Sequence, residues 1–385
     1  MAFCQNQAQR QGFAEAEPQD PLLWLRLIRS RRVGPATFHK LLGEHGDVEA
    51  ALAALPQIAR AAGVENYALC PIEVVRHEWS AGRALGAQLV LWGQAGYPLS
   101  LMDLPDAPPV LWVQGDVTLL ARPMVALVGA RNASSLGLRM TRRLALGLAE
   151  AGQVVVSGLA RGIDAEAHQA ALQGGTVAVQ AGGVDVIYPM ENAALATEIA
   201  QKGCRISEQP MGLAPQARHF PQRNRIVSGL ARAVVVVEAA ARSGSLLTAR
   251  NALDQGREVL AVPGHPFDAR AAGCNSLLRD GATLVRSAGD VLEAIGLRGS
   301  FRAQAPAERA AVVDLPGPVP QRRPLAEVAA LHDQILARLG PSPLAEDQLI
   351  RDLELPAAGL AQALMALELE GRITRQAGGL LSRSD

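Results

Sequence analysis

Four short stretches between Met124 and Pro263 combine small residues, serines and arginines in patterns that suit an anion. The first is Val125-Ala-Leu-Val-Gly-Ala-Arg131, an apolar run that ends in a tight turn. Gly129 lets backbone approach a ligand, and the helix expected next would offer its positive end. This is not Gly-x-Gly-x-x-Gly. Arg131 stands where a dinucleotide pyrophosphate needs room, which argues against tight NAD binding. The second is Ser157-Gly-Leu-Ala-Arg-Gly-Ile-Asp164. Ser157, Gly158 and Gly162 keep a loop open, Arg161 aims its fork at the same edge, and Asp164 can cap the helix that begins there. Asp164 and His168 share one helical face. A metal needs more ligands than these two, and no third stands out. Capping and loop support is therefore the expectation for the pair, and acid–base hydrolysis has no further support.

The third stretch, Arg218-His-Phe-Pro-Gln-Arg-Asn-Arg225, is the densest basic field of the central region. No acid occurs between Arg218 and Arg232, and Phe220 sits inside the run although aromatics make up only 3% of the chain. An aromatic face beside arginine-held phosphates binds single strands without reading their sequence. Arg218, Phe220, Arg223, Asn224 and Arg225 are the candidate contacts; a core Phe with solvated arginines is the plain alternative. The fourth is Glu238 followed by Ser243-Gly-Ser-Leu-Leu-Thr248. Ser243, Gly244 and Ser245 open a helix and can donate to a phosphate, or simply cap it. A nucleophile elbow needs Gly-x-Ser-x-Gly, and Ala241 and Ser245 stand where its glycines belong.

These turns require strands that all end at one edge. Apolar runs predict strands near 124–129, 153–157, 176–181, 204–208, 233–238, 258–262 and 283–286. Helical patterns fall between them, near 136–151, 163–173, 192–202, 221–231, 245–255 and 289–296. The alternation calls for βαβ units with right-handed crossovers and a parallel sheet covered on both faces. Helix N-termini then gather at its carboxyl edge, where anions bind. Several such turns with Arg131, Arg161, Arg223 and Arg225 describe a groove for a polyanion rather than a small pocket.

The chain divides around this core. Residues 1–20 are a polar tail; 21–86 form a helical module; 87–300 form an extended Rossmann-like domain; 301–323 are a proline-rich linker; 324–385 form a second small domain. In the module, Gly34-Pro35 separates two helices, as in a helix-hairpin-helix or SAM-like unit or in an ordinary helical hairpin. Runs at Gln88–Trp92 and Val110–Gln114 read as two further strands. The last segment reads as three helices and a hairpin turning at Gly378-Gly379, which makes a winged helix. Nine acids against five arginines fill residues 324–385, and the expected recognition helix, Ala357–Gly371, has no basic residue. It is therefore expected to contact protein, or nothing, rather than duplex DNA.

Formal net charge is zero, so nucleic-acid binding needs a local concentration of charge. Lysine occurs only at Lys40 and Lys202, which leaves arginine as the cation. Four scattered cysteines without a Cys-x-x-Cys point to reduced thiols in a cytoplasmic protein. The first residues lack the pattern of a signal peptide, and no apolar run reaches the ~20 residues that span a bilayer, so no membrane role is expected.

The motifs above, with Tyr188-Pro-Met-Glu-Asn192, Val262-Pro-Gly264 and Gly273-Cys-Asn-Ser-Leu277 in fixed order, resemble the DNA-processing DprA (Smf) family over about 105–290. The resemblance implies a single-stranded DNA-binding protein of natural transformation. Such proteins protect incoming DNA and load the RecA recombinase, usually as homodimers through the Rossmann-like domain and alongside other competence proteins. No catalytic activity and no cofactor are implied. By motif position the DNA pocket maps onto Arg131, the Ser157–Gly162 loop, Phe220 and Arg223-Asn-Arg225. A lysine common just before the Phe is absent here, where Ala217 and Arg218 stand. Asp164, His168, Glu238 and Thr248 would support the pocket from behind. The competing reading is a nucleotide phosphoribohydrolase of related fold with Glu238 catalytic. That group carries Pro-Gly-Gly-x-Gly-Thr, and Ala241-Arg-Ser-Gly-Ser-Leu-Leu-Thr248 stands in its place. An interaction scaffold without oligonucleotide affinity is the third reading.

Overall fold

The computed structural model describes residues 20–297 and 325–384, apart from 341, 354, 356 and 377–379. The expected tail, the linker and the Gly378-Gly379 turn lie outside the described residues. The centre is one nine-stranded sheet. Its strands are β1 (Gln88–Leu91), β2 (Val110–Gly115), β3 (Met124–Gly129), β4 (Val154–Ser157), β5 (Thr176–Val179), β6 (Cys204–Ser207), β7 (Ala233–Glu238), β8 (Glu258–Ala261) and β9 (Thr283–Leu284). Their order across the sheet is β1-β2-β6-β5-β4-β3-β7-β8-β9.

From β6 to β9 the pairing is parallel; β1–β2 and β2–β6 are antiparallel. The antiparallel edge departs from an all-parallel sheet. Between β1 and β2 the only helix is the four-residue Leu99–Met102, too short to cross the sheet face as a crossover helix does, and the second strand returns antiparallel beside the first. The central parallel strands are buried along their length, and β7 carries the apolar run Ala233–Val237. One face packs under the helices His219–Leu230, Gly244–Asp254 and Ala272–Arg279, the other under Ser135–Glu150, Ile163–Ala171 and Ala288–Ala294. Each fully buried Val contributes about 1.5–3 kcal/mol relative to exposure.

Strand order reverses at β3. The chain winds outward through β4, β5 and β6 on one side and through β7, β8 and β9 on the other. The loops after β3, β4 and β7 therefore open onto one crevice at the carboxyl edge, the usual place for a ligand in such a sheet.

Four helices, Pro21–Arg29, Pro35–His45, Val48–Ala61 and Ile72–Ala84, precede the sheet. Their core residues Trp24, Phe38 and Leu52 belong to one cluster with Leu91 and Trp112 of β1 and β2. Arg29 donates to both Glu78 oxygens at 3.0 and 2.8 Å and to Glu208 O at 3.1 Å, which ties module to sheet.

The C-terminal domain has helices Leu325–Arg338, Glu346–Leu353 and Ala357–Leu369 and a sheet of β10 (Leu344–Ala345), β11 (Ile373–Gln376) and β12 (Leu380–Arg383), ordered β10-β12-β11. The two-residue β10 escapes a periodicity reading because it is shorter than any repeat.

A candidate nucleic-acid interface at the carboxyl edge

A cleft of about 810 Å³ lies where the strand order reverses. Gly129, Arg131, Gly158, Phe220, Arg223, Asn224, Ser243, Gly244 and Ser245 all line it. Next to it is a smaller cavity of about 360 Å³ that takes in Arg161, Tyr188 and Glu191. Arg131, Gly158, Phe220 and Arg223 border both.

The helix His219–Leu230 explains which members of the basic run face the cleft. Phe220, Arg223, Asn224 and Val227 are three or four apart and form one stripe. Arg225 is two residues beyond Arg223, roughly 200° around the helix. It points away, where Asp106 at 3.2 Å and Glu208 at 2.5 Å hold it. Its assignment as a DNA contact is corrected on that ground. Arg218 precedes the helix and donates from Nε to His219 Nε2 at 3.2 Å; it does not line the cleft.

Arg131 is exposed, and its guanidinium carbon lies 5.3 Å from the centre of the Phe220 ring. The Tyr188 ring also packs against Phe220, tilted by 52° with centroids 5.8 Å apart. An arginine over an aromatic, beside a second aromatic that is 50% exposed, provides both a phosphate donor and a stacking platform. Arg223 is instead the floor. It is buried and donates to Val179 O at 3.1 Å, and burial lowers its pKa while Asp164 opposes the change.

Glycine at 158 leaves room for the Arg223 guanidinium, which a Cβ there would overlap. Gly162 has φ 75° and abuts the Ala130 and Arg131 backbone, so it shapes the loop without lining the cleft. Ser157 also faces inward, donating to Leu127 O at 2.6 Å. Its place among the contacts is corrected too: the hydroxyl is consumed within the sheet.

The supporting residues do specific things. Asp164 does not cap its own helix, whose N-cap is Gly162. Its carboxylate reaches back to accept from Gly158 N–H at 3.1 Å and Ala160 N–H at 3.4 Å, fixing the loop above Arg223. Burial raises its pKa; the Arg223 charge and these N–H groups pull it back. His168 is fully enclosed. Its Nε2 accepts from Leu159 N–H at 3.3 Å, so the proton sits on Nδ1, which donates to Thr176 Oγ1 at 2.7 Å. Burial, then the Arg223 charge, drives its pKa to about 3. Neutral and doubly bonded, it braces the β4 loop. No group of three or more potential metal ligands occurs among the described residues.

Glu238 lies outside the cleft lining. Its Oε2 accepts from Ser134 N–H at 3.0 Å and Ser134 Oγ at 3.2 Å, and its Oε1 faces Arg270 Nε at 3.3 Å. Oε2 holds the start of the helix Ser135–Glu150, and Oε1 holds Arg270. Thr248 is buried against the cleft wall. Ser243 caps its helix, accepting from Ser245 N–H at 3.3 Å, with the two hydroxyls 2.7 Å apart at the mouth.

Two arginines of the lining, Arg242 and Arg270, escape the sequence reading. Arg242 directly precedes Ser243, so adjacency could have found it; Arg270 arrives only through the tertiary fold. Five arginines face two acids, Asp164 and Glu191, across the joined cavities. Glu191 lies 3.7 Å from Arg161, both well exposed, a pairing too loose to neutralise the rim.

The family model for DNA recombination-mediator protein A matches residues 88–296. A DprA-like N-terminal HHH domain matches 18–81, and a DprA winged helix domain matches 319–379. DNA processing protein DprA of Bacillus subtilis is 43% identical over 217 residues, 56% of this chain and 73% of that protein. Protein Smf of Escherichia coli is 38% identical over 286 residues, 74% of each. The crystal structure of DprA from Streptococcus pneumoniae superposes with a TM-score of 0.62 at 34% identity, covering 72% of this chain and 98% of that one. DprA from Helicobacter pylori, whose structure is described for its single-stranded DNA binding mode, gives 0.50 at 31% identity over 54% and 96%. With its helical module, its reversed-order sheet and its winged helix all matched, the chain belongs to the DNA-processing DprA (Smf) family of DNA recombination mediators.

Proposed function

We propose that this chain binds single-stranded DNA along the cleft without reading its sequence, shields it, and delivers it to the RecA recombinase. It does so in the cytoplasm, as a homodimer through the sheet domain, with no chemical step and no cofactor of its own. The observation that carries this reading is Arg131 stacked on Phe220 at the point where strand order reverses. Phosphates are drawn to Arg131, Arg161 and Arg242, and bases find Phe220 and Tyr188. The relative from Helicobacter pylori, described by its single-stranded DNA binding mode, supports the same ligand here. Among the described residues no helix is long and apolar enough to cross a membrane.

Against the phosphoribohydrolase reading, Glu238 lies outside the cleft and is engaged by Ser134 and Arg270. The test is an anisotropy titration with fluorescent oligothymidylate, followed by RecA filament formation on strands already covered by single-strand-binding protein. The chain is expected to bind with a steep salt slope and to speed filament formation. Tight binding with no effect on RecA would remove the delivery step; no binding would remove the whole reading.

A further inference from the structure

The winged-helix domain is fastened to the same rim that forms the cleft. Arg270, at the end of the cleft, donates from Nη1 to Ala337 O at 2.6 Å and from Nη2 to Leu339 O at 3.0 Å. In return Arg338 donates to Ala133 O at 2.9 Å, two residues past Arg131. Ala337 and Leu339 lie at the carboxyl end of the helix Leu325–Arg338, where carbonyls carry the negative end of the helix dipole. They hold the Nη side of a guanidinium whose remaining contacts are Asp268, at 3.1 and 3.2 Å, and Glu238, at 3.3 Å.

No apolar cluster bridges this junction among the described residues. The winged-helix core, built on Ile335, Leu349 and Leu364, is self-contained, whereas the N-terminal module shares its core with β1 and β2. A junction held by a few polar contacts separates readily. A further cavity of about 820 Å³ is walled partly by Ser342 of the winged-helix domain, by Arg139 and Arg143, and by Glu238 and Asp268. Those two arginines are four apart on the helix Ser135–Glu150, and no salt bridge engages either among the described residues.

We infer that the winged-helix domain is a strap across the saddle between the cleft and this further cavity. A strand long enough to pass Arg242 takes Arg270 from the helix carbonyls, releases the strap and continues onto Arg139 and Arg143. The inference rests on the cleft binding single-stranded DNA. Asp268 and Glu238 hold Nε of Arg270, whereas Nη1 bonds the neutral Ala337 carbonyl, which a phosphate oxygen with its formal charge outbids. Short strands, confined to the Arg131–Phe220 end, leave the strap in place.

Hydrogen exchange on the full chain reads this directly, with oligothymidylates of about 4 and about 20 nucleotides as probes. The longer probe is expected to speed amide exchange in Leu325–Arg338 and around Ser342; the shorter is not. Arg338→Ala, which loosens the strap outside the cleft, should raise affinity for the longer probe by about fivefold and leave the shorter unchanged. Arg139→Ala with Arg143→Ala should weaken only the longer probe. If both probes bind and exchange in the winged-helix segment stays constant, the strap is wrong and the cleft reading stands. If neither binds, both fall together.

Discussion

The rim of the central sheet and the winged-helix domain each bring arginines to a surface, by different means. At the rim, Arg131 rests on a ring, Arg161 has one loose acid at 3.7 Å, and Arg242 has no salt bridge among the described residues. In the wing, Arg375 is claimed by Glu346 at 2.6 Å and Glu368 at 3.4 Å, and Arg372 lies 3.7 Å from Glu370. The wing's third helix shows solvent Met365, 65% exposed, and Leu369, 84% exposed, where a groove-reading helix would carry cations. What makes a phosphate site is therefore charge left unneutralised beside donors and a stacking face. A count of arginines does not distinguish the two surfaces.

The sharpest test of that distinction lies within one helix. Arg225→Ala should cost about 3 kcal/mol of stability, because Glu208 loses its partner and stays largely buried. Oligothymidylate affinity should move by less than about twofold, because Arg225 faces away from the cleft. Chemical denaturation and anisotropy on the same preparation separate the two; a large affinity loss in a folded variant would place Arg225 in the site. Gly158→Ala should do the opposite. The new methyl displaces the Arg223 guanidinium from the floor, and affinity should fall about tenfold while the fold persists.

Acid provides a third probe. His168 has a folded pKa of about 3, below its ordinary 6.5, so the unfolded chain takes up its proton first. Its contribution to stability is intact above pH 6.5 and is lost as pH falls toward 3. Tm should therefore drop between pH 7 and pH 5, and His168→Gln should lower Tm at pH 7 but flatten that drop. Equal slopes in both proteins would mean His168 is not the neutral brace. The smallest effect belongs to the wing: Arg375→Ala should change duplex DNA affinity by less than about twofold, since its charge is already spent. A tenfold loss would return the winged helix to the list of DNA readers.

Much of this was legible because β-strands and their turns are local. The apolar runs at Val125–Val128 and Val234–Val237 and the small residues after them located the crevice before any coordinates. The errors have one origin, namely the direction in which a side chain points. Ser157 and Arg225 sit in the right segments, but Ser157 turns into the sheet and Arg225 to the far side of its helix. A helical wheel through Phe220 would have separated Arg223 from Arg225. Arg270 is different: it falls between the motifs Val262–Gly264 and Gly273–Leu277 but belongs to neither, and only the packing of the loop before Ala272–Arg279 brings it to the rim. Asp164 lies on the expected helix but serves the loop before it, since a carboxylate at that helix start can bond to its own turn or to the preceding loop.

The most direct measurement is oligothymidylate affinity across a salt series for the wild-type chain, Arg131→Ala and Phe220→Ala. Wild type should lose affinity steeply with salt. Arg131→Ala should bind about tenfold or more weakly with a shallower slope, and Phe220→Ala should lose about 1–3 kcal/mol with the slope unchanged. Wild-type affinity in both folded variants would contradict the account, because the cleft beside Arg131 and Phe220 would then not be where the strand lies.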